Sequence, residues 1–304
     1  MTTGAGDQPT LATLEAIVLA VTGGTPRVLC VDGDDLPRLP AGRPSAGDRT
    51  LELALRRFAN EQAGLDLGYV EQLYTFGDMN RAGRDAPAGA RVLSVAYLAL
   101  VHETAPLAGS AWSDVYDLLP WEDHRGGRPP VLDDRIVPAL ARWAAKGSRA
   151  ERLARAERAD IAFGLSGAAW DGVRTLERYE LLYEVGLVGE AAARPGTGIG
   201  LAMAIDHRRM VATALGRLRG KVTYRPVVFE LLPEAFTLLQ LQRVVEALLG
   251  RMLHKQNFRR LVEGAGLVEP TGERQATSGR PAATFRFRRE VLRERARPGV
   301  APTA

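Results

Sequence analysis

The stretch Phe236 to Arg260, FTLLQLQRVVEALLGRMLHKQNFRR, constrains this chain most. Its spacing predicts a helix, a turn and a second helix. Thr237 can cap the first helix, and Gln240 three residues later completes a capping box. Leu238, Leu241, Val244, Val245 and Leu248 recur at helical spacing. Gly250 ends that helix where a left-handed residue is needed. A second helix is expected from about Lys255 to about Glu263, with Phe258, Leu261 and Val262 as its apolar face. Lys255, Gln256, Asn257, Arg259 and Arg260 fill the rest of its first turns. Such side chains suit a DNA major groove. Amides pair with adenine edges, and arginines with guanine or phosphate. A solvated charged face on an ordinary helix is the plain alternative.

Charge distribution favours the first reading. The chain has 304 residues and a net charge of +4. Residues 1–205 hold 21 Lys+Arg and 27 Asp+Glu, a net of −6, and residues 206–304 hold 19 and 9, a net of +10. A basic last third behind an acidic first part points to a polyanionic partner for the last third. No apolar run reaches the ~18 residues of a membrane span, and the N-terminus lacks a signal peptide pattern, so a cytoplasmic location is expected. Cys30 is the single cysteine, and the four histidines show no ligand spacing, so neither a disulfide nor a cysteine metal cluster is expected.

The rest of the chain reads as α+β. Residues 13–31 look like two strands about a Gly23-Gly24 hairpin. Residues 51–63 form an amphipathic helix with Leu51, Leu55, Phe58 and Ala59 on one face. Tyr69–Phe76 and Arg91–Val101 are strand candidates, the second buried. Residues 106–121 read as loop, and 131–146 as a helix bent at Pro138. Residues 149–190 are helical, with Leu176, Tyr179, Leu182, Tyr183 and Leu187 as a packing or dimer stripe. Ala193–Gly200 reads as a Gly/Pro linker.

The segment Leu39–Leu65, LPAGRPSAGDRTLELALRRFANEQAGL, resembles a Nudix box. Arg57, Glu61, Gly64 and Leu65 match its end. Phe58 and Gln62 stand where the pattern has glutamates, and its earlier Glu falls on Arg49. Tyr74–Val101 is similar to the matching stretch of ADP-ribose-type Nudix proteins. Nudix hydrolases hold magnesium with clustered carboxylates, which Phe58 cannot supply, Gln62 offers only as an amide and Arg49 would repel. Hydrolysis is therefore not expected, and no catalytic residue or metal ligand is assigned. Glu61 is equally a partner for Arg57 at i, i+4. Arg57, Glu61, Arg81 and Arg84 are the candidate ligand contacts, the last two as phosphate or ribose partners in a Gly- and Asp-containing loop.

After a further helix over residues 205–221, capped by Asp206, and the helix pair, Leu267-Val268 and Ala283–Phe287 are short β runs. Arg274, Gly279, Arg280 and Pro281 lie in the loop between them. Helix, helix-turn-helix and wing describe a winged helix-turn-helix. The combination of IDHRRMVATALGRLRGKVTY, LLPEAFTLLQLQRVVEALLGR, NFRR and the Gly-Arg-Pro of the wing with a degenerate Nudix box resembles the Nudix-related transcriptional regulators of NAD metabolism (NrtR/NadQ-like). The expected organisation is a Nudix-like α/β/α sandwich over 10–147, a helical connector over 148–203 and a winged helix-turn-helix over 204–292. The resemblance implies a homodimeric repressor of NAD synthesis or salvage genes on palindromic operator DNA. Its effector would be ADP-ribose, NAD or ATP, and no cofactor is required. Lys255, Gln256, Asn257, Arg259, Arg260 and, in the wing, Arg280 would contact DNA. The alternative is an active Nudix hydrolase of ADP-ribose or a related nucleoside diphosphate.

Overall fold

A computed structural model describes residues 10–33, 35–78, 90–191, 197–276, 279–294 and 299–300. Strands β1 (Thr10–Thr22) and β2 (Thr25–Val31) are joined through Gly23 and Gly24, both at positive φ, as a two-residue hairpin demands. With β3 (Ala41–Gly42), β4 (Tyr69–Phe76), β5 (Arg91–Leu100) and β6 (Ser110–Asp114) they form one sheet, in the order β4-β5-β1-β2-β6 with β3 on β1. The long β1 and β5 run parallel, from Thr10 beside Arg91 to Leu19 beside Leu100.

Alternation along these strands builds a core on each face of the sheet. Leu14, Ala16, Val18 and Ala20, with Tyr97 and Ala99, pack under helix α1 (Leu51–Ala63) through Ala54, Leu55, Phe58 and Ala59. Leu51, expected on that face, is exposed. Ile17 and Leu19, with Ala96, Leu98 and Leu100, point to the opposite face and join a second core. Residues 110–118 are not loop. They form edge strand β6 and the short helix α2 (Val115–Leu118), capped by Asp114. Five half-exposed or exposed residues rich in Ser and Asp carry no apolar alternation to announce an edge strand.

The expected bend at Pro138 is a change of helix type. Residues Leu132–Ile136 form a π turn, and α3 (Val137–Ala144) starts with Pro138 in its first turn, where the missing N–H costs nothing. Helix α4 (Arg149–Phe163) begins with a Ser148–Glu151 capping box, and α5 (Thr175–Glu184) follows. In α5, Tyr179, Leu181 and Leu182 are buried, while Tyr183 is exposed. The end of the Gly/Pro stretch is pinned, not free. Buried Arg208 donates to the carbonyls of Ile199 and Leu201, each at 2.9 Å, and pairs with Glu190.

Helix α6 (His207–Lys221) has Asp206 at its cap position, but no side-chain bond to the first turn. It is buried on nearly all sides and touches β1, β4, α5 and α7 (Leu238–Leu249). Helix α8 (Lys255–Gly264) and strands β7 (Phe236–Thr237), β8 (Val268–Gln275) and β9 (Ala282–Phe287) complete the C-terminal part, ordered β7-β9-β8, before the short α9 (Val291–Glu294). One core runs from Ile17 and Leu19 through Leu182, Met210 and Leu215 to Leu241, Val245, Phe258 and Val262. The sheet and the helix-turn-helix therefore share buried surface. No helix among the described residues is long and apolar enough to cross a membrane.

Candidate nucleic-acid interface and degenerate Nudix site

The helix pair forms as its capping residues dictate. Thr237 Oγ1 accepts from the Gln240 amide at 3.2 Å, and Gln240 Oε1 accepts from the Thr237 amide at 2.7 Å. Gly250 closes α7 at φ +67°. Phe258 and Val262 of α8 are buried and Leu261 half-buried, which leaves Lys255, Gln256, Asn257, Arg259 and Arg260 exposed on one helix. Arg260 also lies 3.4 Å from Asn257 Oδ1.

Two residues that sequence reasoning passed over hold the turn between α7 and α8. Buried Glu246 accepts from the Leu253 amide at 2.8 Å and from Gln242 Nε2 at 2.9 Å. Gln242 Nε2 also donates to the Leu253 carbonyl at 3.1 Å. Together they tie the turn to α7. Their signal was a polar pair at i, i+4 between buried leucines and valines.

The wing is longer than its β propensity implied. β8 runs on to Gln275 past a register shift between Pro270 and Arg274, so Arg274 pairs with Ala283 inside the strand and not in the loop. Thr271 and Thr284 bond across the irregularity at 2.5 Å. Arg280 is exposed beyond the strand ends.

At the Nudix box, α1 presents Arg57 to two carboxylates. Asp48 accepts from Nη2 at 2.8 Å and from Nε at 3.2 Å, and Glu61 accepts from Nη1 at 3.2 Å. The Arg57 guanidinium, with the Ser45 backbone amide second, holds the Asp48 carboxyl well below the usual carboxylate range. Phe58 is buried under α1, and its ring lies so close to Gly42 that a Cβ there would come within 2.5–2.7 Å of it. Gln62 accepts from the Ala41 amide at 3.2 Å and donates to the Ala41 carbonyl at 2.7 Å. An amide can do both, whereas the ionised carboxylate of a glutamate could only accept. Phe58 and Gln62 thus serve packing and the β3 backbone. Among the described residues no three His, Cys, Asp or Glu group as a metal site. Arg81 and Arg84 lie outside the described residues.

Sequence reasoning also missed Glu15. Its buried carboxylate accepts from Thr13 Oγ1 at 2.9 Å and Ser94 Oγ at 2.6 Å, beside Ala41 in the sheet.

The three layers around this box, followed by two helices and a three-stranded wing, have the fold of a Nudix-like α/β/α sandwich joined to a winged helix-turn-helix. Residues 228–287 match the family described as the NrtR DNA-binding winged helix domain. The C-terminal domain is a winged helix of that type. It is 38% identical over 87 residues to the ADPR responsive transcriptional repressor NtrR of Acinetobacter baylyi, a match over 29% of this chain and 35% of that protein. The matched stretch is therefore about a third of the curated relative. The whole fold is similar to that of Shewanella oneidensis NrtR complexed with a 27mer DNA, with a TM-score of 0.58 at 22% identity over 93% of this chain and 95% of the other. It is also similar to a MutT/nudix family protein from Enterococcus faecalis, with a TM-score of 0.54 at 17% identity over 95% and 90%.

Proposed function

We propose that the protein is a transcriptional repressor of NAD synthesis or salvage genes that binds operator DNA as a homodimer and responds to ADP-ribose. The observation that carries this reading is α8. Five groove-compatible side chains are exposed on one short helix, at a turn fixed by Glu246 and Gln242. A two-fold dimer would set two such helices on half-sites about one or more helical turns apart. Lys255, Gln256, Asn257, Arg259 and Arg260 meet bases or phosphates, and Arg280 the flanking backbone.

The effector binds without being cleaved. Arg57 and Glu61 contact it, together with Arg81 and Arg84. ADP-ribose is preferred over NAD and ATP on the strength of the curated relative, an ADPR-responsive repressor. An effector shifts DNA affinity only by its different affinities for two placements of the winged domains. Each winged domain shares a core with its own sheet, so the change falls between protomers and not at a hinge within one. The second reading, an active hydrolase, is disfavoured by buried Phe58 and by Gln62, whose amide is occupied by Ala41.

The test is an anisotropy titration of the full chain against duplexes from upstream of NAD synthesis and salvage genes. ADP-ribose, NAD and ATP are then added in turn. Sequence-specific binding altered by ADP-ribose supports the reading. Indifference to DNA sequence, or release of AMP from ADP-ribose in magnesium, overturns it.

A further inference from the structure

Helices α3 and α4 form a hairpin that stands off the body. On α3 only Ala139 and Leu140 are buried, and on α4 only Ala159, Ala162 and Phe163, all in its last turns. From Arg149 to Arg158 every residue is exposed except half-buried Arg155, and Leu153 is 64% exposed. No apolar stripe there calls for a covering helix.

The projecting part is basic. Residues 142–158 hold six Lys+Arg (Arg142, Lys146, Arg149, Arg152, Arg155 and Arg158) against Glu151 and Glu157, a net of +4, of which Arg158 is paired with Glu184 of α5 at the base of the arm. Glu151 is committed to its capping box, accepting from the Ser148 amide at 2.7 Å. Among the described residues, Arg149, Arg152 and Arg155 form no ion pair. Arg152 and Arg155 donate to the carbonyls of Gly147 and Lys146, at 3.1 and 2.8 Å. At ~100° per residue these three arginines fall within about 120° on the helix surface, one continuous ridge. Like charges at this spacing repel one another along the helix, a repulsion that a polyanion along the ridge would relieve.

The arm is rooted beside the helix-turn-helix. Phe163 packs on Trp170, with ring centres 6.4 Å apart, and Trp170 packs on His124 at 4.2 Å. The His124 amide donates to the carbonyl of Gly250, in the turn before α8, at 2.7 Å.

We propose that the α3–α4 arm is a second DNA-contacting surface, gripping phosphates that flank the half-site read by α8. Its partner is the phosphate backbone, since the ridge of Arg149, Arg152 and Arg155, which form no ion pair among the described residues, complements a polyanion. The contact carries no base information and acts through counterion release. This inference rests on the DNA-binding reading above.

The experiment uses the full chain and the triple variant Arg149→Gln/Arg152→Gln/Arg155→Gln, whose exposed substitutions keep good helix formers. Both are titrated at several salt concentrations against an operator trimmed to its half-sites and against the same operator with ~10 extra base pairs on each side. Wild type is expected to gain affinity from the flanks. The variant should match wild type on the trimmed duplex and lose that gain. Its log K against log salt slope on the long duplex should be shallower by roughly 2–3, about 0.9 per phosphate lost. Equal affinity and slope for the two proteins on the long duplex overturn the proposal while leaving operator recognition by α8 intact. A shift of the variant from dimer to monomer in sedimentation also overturns it, because the arm would then be a contact between copies. Wild type that ignores operator sequence sinks the DNA-binding reading itself, and the arm with it.

Discussion

Arg219 Nε donates to the carbonyl oxygen of Leu248 across 2.9 Å, and so ties α6 to the last turn of the first helix of the helix-turn-helix. The same guanidinium pairs with Glu122, which follows α2. Glu122 also accepts from Arg178 of α5, at 2.6 and 3.0 Å. Tyr116 Oη donates to the Ala247 carbonyl at 2.6 Å. One buried carboxylate thus pairs with guanidinia from two helices, and both the Arg219 guanidinium and the Tyr116 hydroxyl satisfy carbonyls at the end of α7. A cation at a helix C-terminus is favourable, more so out of water. These contacts tie the turn before α8 to residues 116–122 and to helices α5 and α6.

Glu122→Gln should expose this arrangement. Both guanidinia would stay buried with only a neutral partner, a loss of about 3–5 kcal/mol and roughly 10 °C in Tm. Burial pushes the Glu122 carboxyl up, but Arg178 and Arg219 outweigh it and hold it below its ordinary value. A depressed carboxylate stabilises the fold above its unfolded pKa, and that stabilisation is lost as pH falls through the folded pKa. Wild type should therefore lose stability below about pH 4.5 more steeply than the variant. Thermal melts from pH 7 to pH 3 check both, and parallel curves would remove Glu122 from the acid transition.

Gly250→Ala tests the same junction from the α7 side. Gly250 is left-handed at φ +67°, and a Cβ there would overlap the Glu122 carbonyl and crowd the Arg219 guanidinium. The backbone strain alone is about 1–2 kcal/mol, and the overlap must add to it. The variant should melt lower and bind operator more weakly, since α8 follows directly. Gly264→Ala, with open space around it and no left-handed φ, is the control and should melt within about 1 °C of wild type or slightly above it.

The parts of the fold legible in the sequence were those with strong local signals. Leu51–Ala63, Tyr69–Phe76 and the α7 capping box stand where periodicity and caps placed them. β6 escaped because an edge strand of Ser and Asp has no alternation, and Arg274 was misplaced because β8 continues past a bulge. The Glu122–Arg178–Arg219 cluster joins residues 56 and 97 positions apart. Charged residues so far apart look like surface until the fold buries them. At the Nudix box the sequence said what was missing. Only the structure says what replaces it: a phenyl ring against Gly42 and an amide clamped on Ala41.

That replacement predicts that carboxylates cannot simply be restored. Phe58→Glu would put a charge into the α1–sheet core, and Gln62→Glu would set an acceptor against the Ala41 carbonyl in place of a donor. The second alone should cost about 1–3 kcal/mol, and the first more, for a buried unpaired charge. The double variant should melt well below wild type and release no AMP from ADP-ribose in magnesium, followed by chromatography. Turnover would show that the box lacks only its ligands.

On α8, base contacts and phosphate contacts should separate by their salt dependence. Asn257 is a short amide, suited to an adenine edge, and it is exposed one turn into the helix. Arg259 is exposed two residues later, and a long cation there reaches phosphate as readily as base. Asn257→Ala should cost about 1–3 kcal/mol on the cognate operator, reduce discrimination at one base pair and leave the salt slope unchanged. Arg259→Ala should weaken binding to all duplexes alike and flatten the slope by roughly one unit. Both residues are exposed, so neither change should move the melting temperature by more than about 1 °C. Titrating single-base operator variants at several salt concentrations reads both effects. Reversed signatures would exchange the two roles, and unchanged affinity in both would remove α8 from the groove.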